Sequence, residues 1–150
     1  MPPTGIESTM VKNEARMEIT STMDIVSARQ EGRALAHELG FVGSEVTLIA
    51  AAISEVARNI LDHAQHGEII LVVMKEGYKN GIKIVARDEG PGIADVAQAM
   101  QYGFSTVKRP GMGLPGTKWL MDEFDIESQV GKGTIVTMKK WTANLGYQNA

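Results

Sequence analysis

The chain has 150 residues, enough for one domain with a buried core. Apolar residues at 43% and charged residues at 22% are ordinary for a globular protein, and the net charge is −3. The absence of a basic run argues against sequence-independent nucleic-acid binding, and the absence of cysteine excludes disulfides and thiolate metal sites.

Residues 1–13 are polar and marked by Pro and Gly, and are expected to form a flexible N-terminal arm. The start lacks the charged and apolar regions of a secretory signal. Arg16 to Ser21 reads as a first strand. Ser21 and Asp24 resemble a helix start, with the helix running to Leu39 and stopped by Gly40. Ser44 is expected to cap a second helix that ends near Ala64, with Gly67 closing the region. Glu68–Lys75 and Ile82–Arg87 form a hairpin around Gly77-Tyr-Lys-Asn80-Gly81, where Asn-Gly is the turn signal. A short helix follows from Asp95 to Tyr102, and another from Leu114 to Glu123 with Pro115 in its first turn. Phe124–Gln129 and Thr134–Trp141 make a final hairpin around Gly131-Lys-Gly133. Residues 14–141 are then one domain and 142–150 a tail.

This order predicts an α+β two-layer sandwich. Its sheet is mixed and mostly antiparallel, because tight turns join its strand pairs, and helices cover one face. No stretch approaches the roughly 20 apolar residues of a spanning helix, so a cytoplasmic protein with no membrane partner is expected.

Four blocks carry chemistry. In Glu55-Val-Ala-Arg-Asn59, the glutamate and asparagine fall one turn apart on a helix. Val46, Ile49, Ile53, Val56, Ala57, Ile60 and Ala64 make the opposite, apolar face. The Asn59 oxygen can ligate Mg²⁺, and Glu55 can accept a proton; a solvated polar face is the alternative. Asp88 runs into Gly90-Pro-Gly92, where a carboxylate can accept from an exocyclic amine such as adenine's; an ordinary Asp-led turn is the alternative. Gly111-Met112-Gly113-Leu-Pro-Gly116 opens a helix and can present N–H groups to phosphates. It is neither a Rossmann fingerprint nor a P-loop. Lys108 and Arg109, just before it, are either phosphate partners or solvated loop charges. Thr134 follows Gly131-Lys-Gly133, and its hydroxyl can reach Asp88 only if the two strands are neighbours.

Together the blocks resemble the N, G1, G2 and G-Thr boxes of the Bergerat-fold (GHKL) ATPases, the superfamily of gyrase, histidine kinases and MutL. The likeness spans residues 16–141. Phe104-Ser-Thr106, Arg109-Pro-Gly-Met-Gly113, Leu120-Met-Asp-Glu-Phe124 and Met23-Asp-Ile-Val26 narrow it to the RsbT-type switch serine/threonine kinases of bacterial stressosomes. The resemblance implies a protein serine/threonine kinase using ATP and Mg²⁺. Glu55 and Arg109 would be catalytic, the first as general base and the second at the terminal phosphate. Asn59 would hold the metal. Asp88 would read adenine with Gly90, Gly92 and Thr134 in support. Residues 103–113 would form the ATP lid, with Gly111, Met112 and Gly113 at the phosphates. STAS-domain proteins would be substrates, and a PP2C-type phosphatase the effector activated after release. An anti-sigma factor or ATP-sensing module acting by partner exchange is the alternative. Whether the chain forms a homodimer is left open. His63 and His66 read as helix-end surface residues, and Trp119 and Trp141 as packing residues.

Overall fold

The computed structural model describes residues 14–100 and 113–142. Five strands form one sheet: β1 (Glu14–Ile19), β2 (Gly67–Glu76), β3 (Lys79–Asp88), β4 (Glu123–Gln129) and β5 (Gly133–Trp141). Among the described residues four helices accompany them: α1 (Thr22–Glu38), α2 (Gly43–Ala64), α3 (Val96–Ala99) and α4 (Gly113–Leu120). The strand order is β1-β2-β3-β5-β4, and every pairing is antiparallel.

Period-two alternation sends Ile19, Ile69, Leu71, Ile82, Ile84, Ala86, Val136 and Met138 to the face that meets the helices. That is the expected two-layer sandwich. The other face carries Arg16, Glu68 and Arg87, with both arginines bonded to the Glu68 carboxylate. The β2–β3 turn is the two-residue Gly77-Tyr78, with Gly77 at φ +62°. The Asn80-Gly81 signal is therefore not the turn. Asn80 is drawn into the ladder because its N–H meets the Thr142 hydroxyl and its side chain the Leu39 carbonyl. Gly81 lies opposite Trp141, whose ring occupies the space a Cβ would need. So Trp141 packs as expected. Trp119 does not: it is 76% exposed, because α4 buries Leu114, Pro115 and Thr117 on its other side.

The helix ends differ in detail from expectation. In α1, Asp24 accepts from Thr20 N–H, Thr20 hydroxyl and Ser21 N–H, so the helix begins at Thr22. In α2, hydrogen bonding starts earlier than Ser44, at the Val42 carbonyl, which takes the Val46 N–H at 2.9 Å. It ends in Gln65 at φ +70°, and Gly67 is the first residue of β2 rather than a breaker. The first strand ends at Ile19 because Thr20 and Ser21 are taken by the α1 cap. α4 ends at Leu120, since Glu123 is already paired with Lys139. Met121 lies past the helix and enters the core.

The central helix α2 is buried on nearly every side. Ile49, Ile53, Val56 and Ala57 face the core, yet Ala52 and Glu55 on the other side are also below 9% exposed. α1 packs along it through Gly32, where any side chain would strike Ile53. α4 packs along it as well.

The Arg87 hydrogen bond holds the Glu68 carboxyl below its ordinary value, against an opposing effect of burial, and Arg16 adds to the lowering. A depressed folded value stabilises fully above the ordinary carboxylate range and is lost as pH falls through the lowered value. Urea unfolding between about pH 6 and about pH 3 should show a smaller acid loss for Glu68→Gln than for the natural chain. Equal losses would remove Glu68 from the acid response.

Candidate functional site

Antiparallel pairing of β3 with β5 sets Asp88 directly opposite Thr134. Both are buried on the helix-facing side of the sheet, Asp88 at 9% exposure and Thr134 at 5%. The condition on which their partnership depended is met. Asp88 Oδ1 accepts the Gly90 N–H at 2.9 Å, which folds the chain back at the strand end. Gly90 lies against Ala64, at the end of α2, so closely that a Cβ would overlap it. Gly92, at φ +78°, presents its bare Cα to the Gln129 backbone, and Gly133, at φ +124°, to the Asp88 carbonyl. Gly131 N–H donates to the Pro91 carbonyl at 2.8 Å. The Asp88–Gly92 and Gly131–Thr134 blocks are thus one interlocked unit that only glycine permits. A shallow pocket at this sheet end includes Asp88, Ser128, Gly133 and Thr134 in its lining.

Ser128 ties this unit together. Its hydroxyl accepts the Ile93 N–H at 2.7 Å and lies 3.1 Å from the Gly133 carbonyl and 2.7 Å from the Thr134 hydroxyl. Nothing in its local sequence marks it. The only available clue was its place opposite Thr134 across a predicted hairpin.

The second cluster lies on α2. Glu55 is 7% exposed. Its Oε1 accepts from Arg58 Nη1 at 2.8 Å, and its Oε2 from the Gly113 N–H at 3.3 Å. Gly113, at φ +68°, opens α4, so the carboxylate sits at the positive end of that helix. The far end of α4 is held by Lys140, a buried lysine whose Nζ donates to the Leu120 carbonyl at 3.0 Å. The Glu55 block and the helix-opening glycine block therefore meet as well. Arg58, one turn from Glu55, is the site residue that sequence reasoning passed over.

Asn59 is half-buried, one turn beyond Glu55, and among the described residues its side-chain amide has no hydrogen-bond partner. Mg²⁺ typically keeps several waters and binds through one or two protein ligands plus phosphates. A single amide oxygen that no described residue occupies fits that pattern. Lys108, Arg109, Gly111 and Met112 lie outside the described residues. His63 and His66 are exposed at and beyond the end of α2. Among the described residues no helix is long and apolar enough to cross a membrane.

The fold, with helices over one antiparallel sheet and glycine turns at the Asp88 end, is that of an ATPase-type domain. Residues 20–140 match the histidine kinase-like ATPase domain family. The chain belongs to that family and, within it, to the RsbT type of serine/threonine-protein kinase. It is 45% identical over 131 residues to the serine/threonine-protein kinase RsbT of Bacillus subtilis, covering 87% of this chain and 98% of that one. It is 38% identical over 118 residues to an anti-sigma F factor of Caldanaerobacter subterraneus, covering 76% and 82%. In structure it resembles the RsbU and RsbW domains of a Mycobacterium tuberculosis protein at TM-score 0.54 and 21% identity, over 84% of this chain and 32% of that one. It also resembles one chain of the SiaB-SiaC complex of Pseudomonas aeruginosa at TM-score 0.54 and 10% identity, over 94% of this chain and 98% of that one. Both structural likenesses concern the fold.

Two substitutions test the interlock. Ser128→Ala leaves the Ile93 N–H without its partner and should cost about 1 kcal/mol in urea unfolding. Gly133→Ala should cost more, because its Cβ would overlap the Asp88 carbonyl. A Gly133→Ala chain as stable as the natural one would mean that the two blocks are not held in this register.

Proposed function

We propose that this chain is an ATP-dependent protein serine/threonine kinase acting on small STAS-domain partners in a partner-switching pathway. The observation that carries the reading is the buried Glu55 carboxylate, held at the N–H of the glycine that opens α4. A proton acceptor and a phosphate-binding helix start are thereby one contact apart.

In this reading each site residue has a role. Asp88 takes the adenine amine, with Thr134 opposite it and Gly90 and Gly92 leaving room for the base. Asn59 holds Mg²⁺, which when bound neutralises charge on the phosphates. Gly113 donates its N–H to a phosphate oxygen, with Gly111, Met112 and Arg109 completing that end. Glu55 accepts the proton of the attacking hydroxyl. Positioning and charge neutralisation then supply most of the rate, as expected for phosphoryl transfer. Once its STAS partner is phosphorylated, the released kinase binds and activates a PP2C-type phosphatase or similar effector.

Likeness to anti-sigma F factors supports a second reading, in which the output is nucleotide-dependent partner exchange. Mixing the protein, labelled ATP and a STAS-domain protein separates the two. Transfer of label to a Ser or Thr supports the kinase, and co-elution without label supports the exchange module.

Glu55→Gln should retain nucleotide binding within a few-fold and lower transfer by about 100-fold or more. A variant that transfers at the natural rate would show that Glu55 is not the base. Asp88→Asn should instead weaken nucleotide binding by about tenfold or more, through the lost charge-assisted bond to the amine. Titration calorimetry with an ATP analogue checks this, and unchanged affinity would move the purine elsewhere.

A further inference from the structure

Glu55 has two oxygens, and the structure gives each a different partner. Oε1 is held by the Arg58 guanidinium at 2.8 Å, a charge-assisted contact of ideal length. Oε2 is held by the Gly113 N–H at 3.3 Å, a longer and weaker bond. Arg58 lies one turn along the same helix as Glu55, so it stays beside the carboxylate whatever α4 does. Gly113 belongs to another helix, and its N–H is a donor that a phosphate oxygen also wants.

A carboxylate that accepts a proton needs one oxygen free toward the hydroxyl and the other fixed. Here only one of the two contacts can be exchanged without removing the counter-charge of a buried anion. The geometry points to Arg58 as the positioning residue of this site. By holding Oε1 it commits Oε2 to proton transfer, and the Gly113 N–H occupies Oε2 until a nucleotide phosphate claims that N–H. This inference rests on the kinase reading above. In the step it serves, the substrate hydroxyl oxygen bonds to the γ-phosphorus and the bond from that phosphorus to the β–γ bridging oxygen breaks. ADP leaves, and the hydroxyl proton passes to Glu55 Oε2.

The site thereby has a built-in order of events. Before nucleotide arrives, Gly113 covers the reactive oxygen. Afterwards the same N–H serves the phosphate, and the oxygen faces the substrate. Arg58 takes part in neither exchange. Its side chain is one-third exposed, and thermal melting shows whether each variant is folded before its rates are compared.

The test uses the full chain with Arg58→Gln, Arg58→Lys and the double variant Glu55→Gln/Arg58→Gln. In single-turnover transfer of label from ATP to a STAS partner, Arg58→Gln should lose about 100-fold in kcat, as expected for a misplaced catalytic group. KM for ATP and calorimetric affinity for an ATP analogue should stay within about threefold. Arg58→Lys should recover at least about tenfold of the loss, because a point charge can still hold Oε1. The double variant should be no slower than Glu55→Gln alone. The proposal is overturned if Arg58→Gln binds nucleotide more weakly in proportion to its slower transfer, since Arg58 would then touch the ligand. It is also overturned if the second substitution slows Glu55→Gln further, or if Arg58→Gln transfers normally.

A readout free of catalysis is the Gly113 amide signal in nuclear magnetic resonance. In the natural chain it should shift when an ATP analogue binds. In nucleotide-free Arg58→Gln its hydrogen exchange should quicken, by about tenfold, because Oε2 is no longer held in place. If the natural chain transfers no label at all, the kinase reading fails, and Gly113 exchange alone decides whether Arg58 positions Glu55. Unchanged exchange in Arg58→Gln would show that it does not.

Discussion

A carboxylate inside a packed layer must find donors, and most of this site follows from how Glu55 finds them. α2 is enclosed by the sheet, by α1 through Gly32 and by α4, so Glu55 has little access to water. An ionised group so placed stays only if its lone pairs are met. Arg58 meets them from the same helix and Gly113 from the next one. One electrostatic requirement thus seats α4 and fixes where a phosphate would meet the helix start.

The two candidate clusters are built differently. At the Asp88 end, three glycines let backbones approach within contact distance, and a backbone hydrogen bond from Gly131 to Pro91 locks them. Ser128 adds a further tie across the hairpin. At the Glu55 end, the link to α4 is a single long hydrogen bond to a charged group. In the proposed function the interlocked cluster would read the base, and the cluster held by one long bond would meet the phosphates.

Much of this was legible in the sequence. Val46 to Ile60 showed the helical period, Glu55 and Asn59 the one-turn spacing, and the glycine blocks the loops. The antiparallel sheet followed from tight turns. What stayed hidden depended on partners distant in sequence. Arg58 reads as a surface charge until Glu55 is known to be buried. Ser128 reads as a strand residue until β3 leaves the G1 loop beside it. Asn80-Gly81 carries a strong turn signal, yet Thr142 and Leu39 bind Asn80 and the turn moves to Gly77-Tyr78. Trp119 looks like a core residue because composition says nothing of which side of a short helix is covered.

Lys140 gives α4 a further property. The helix is fastened by an anion at its first residue and by a buried cation at its last, both matched to its dipole. Each charge also has a partner off the helix, Arg58 for Glu55 and Asp122 at 3.8 Å for Lys140, so neither is left bare if its bond to α4 opens. The two end contacts work as latches rather than rivets: they hold the helix in register without making its release electrostatically prohibitive.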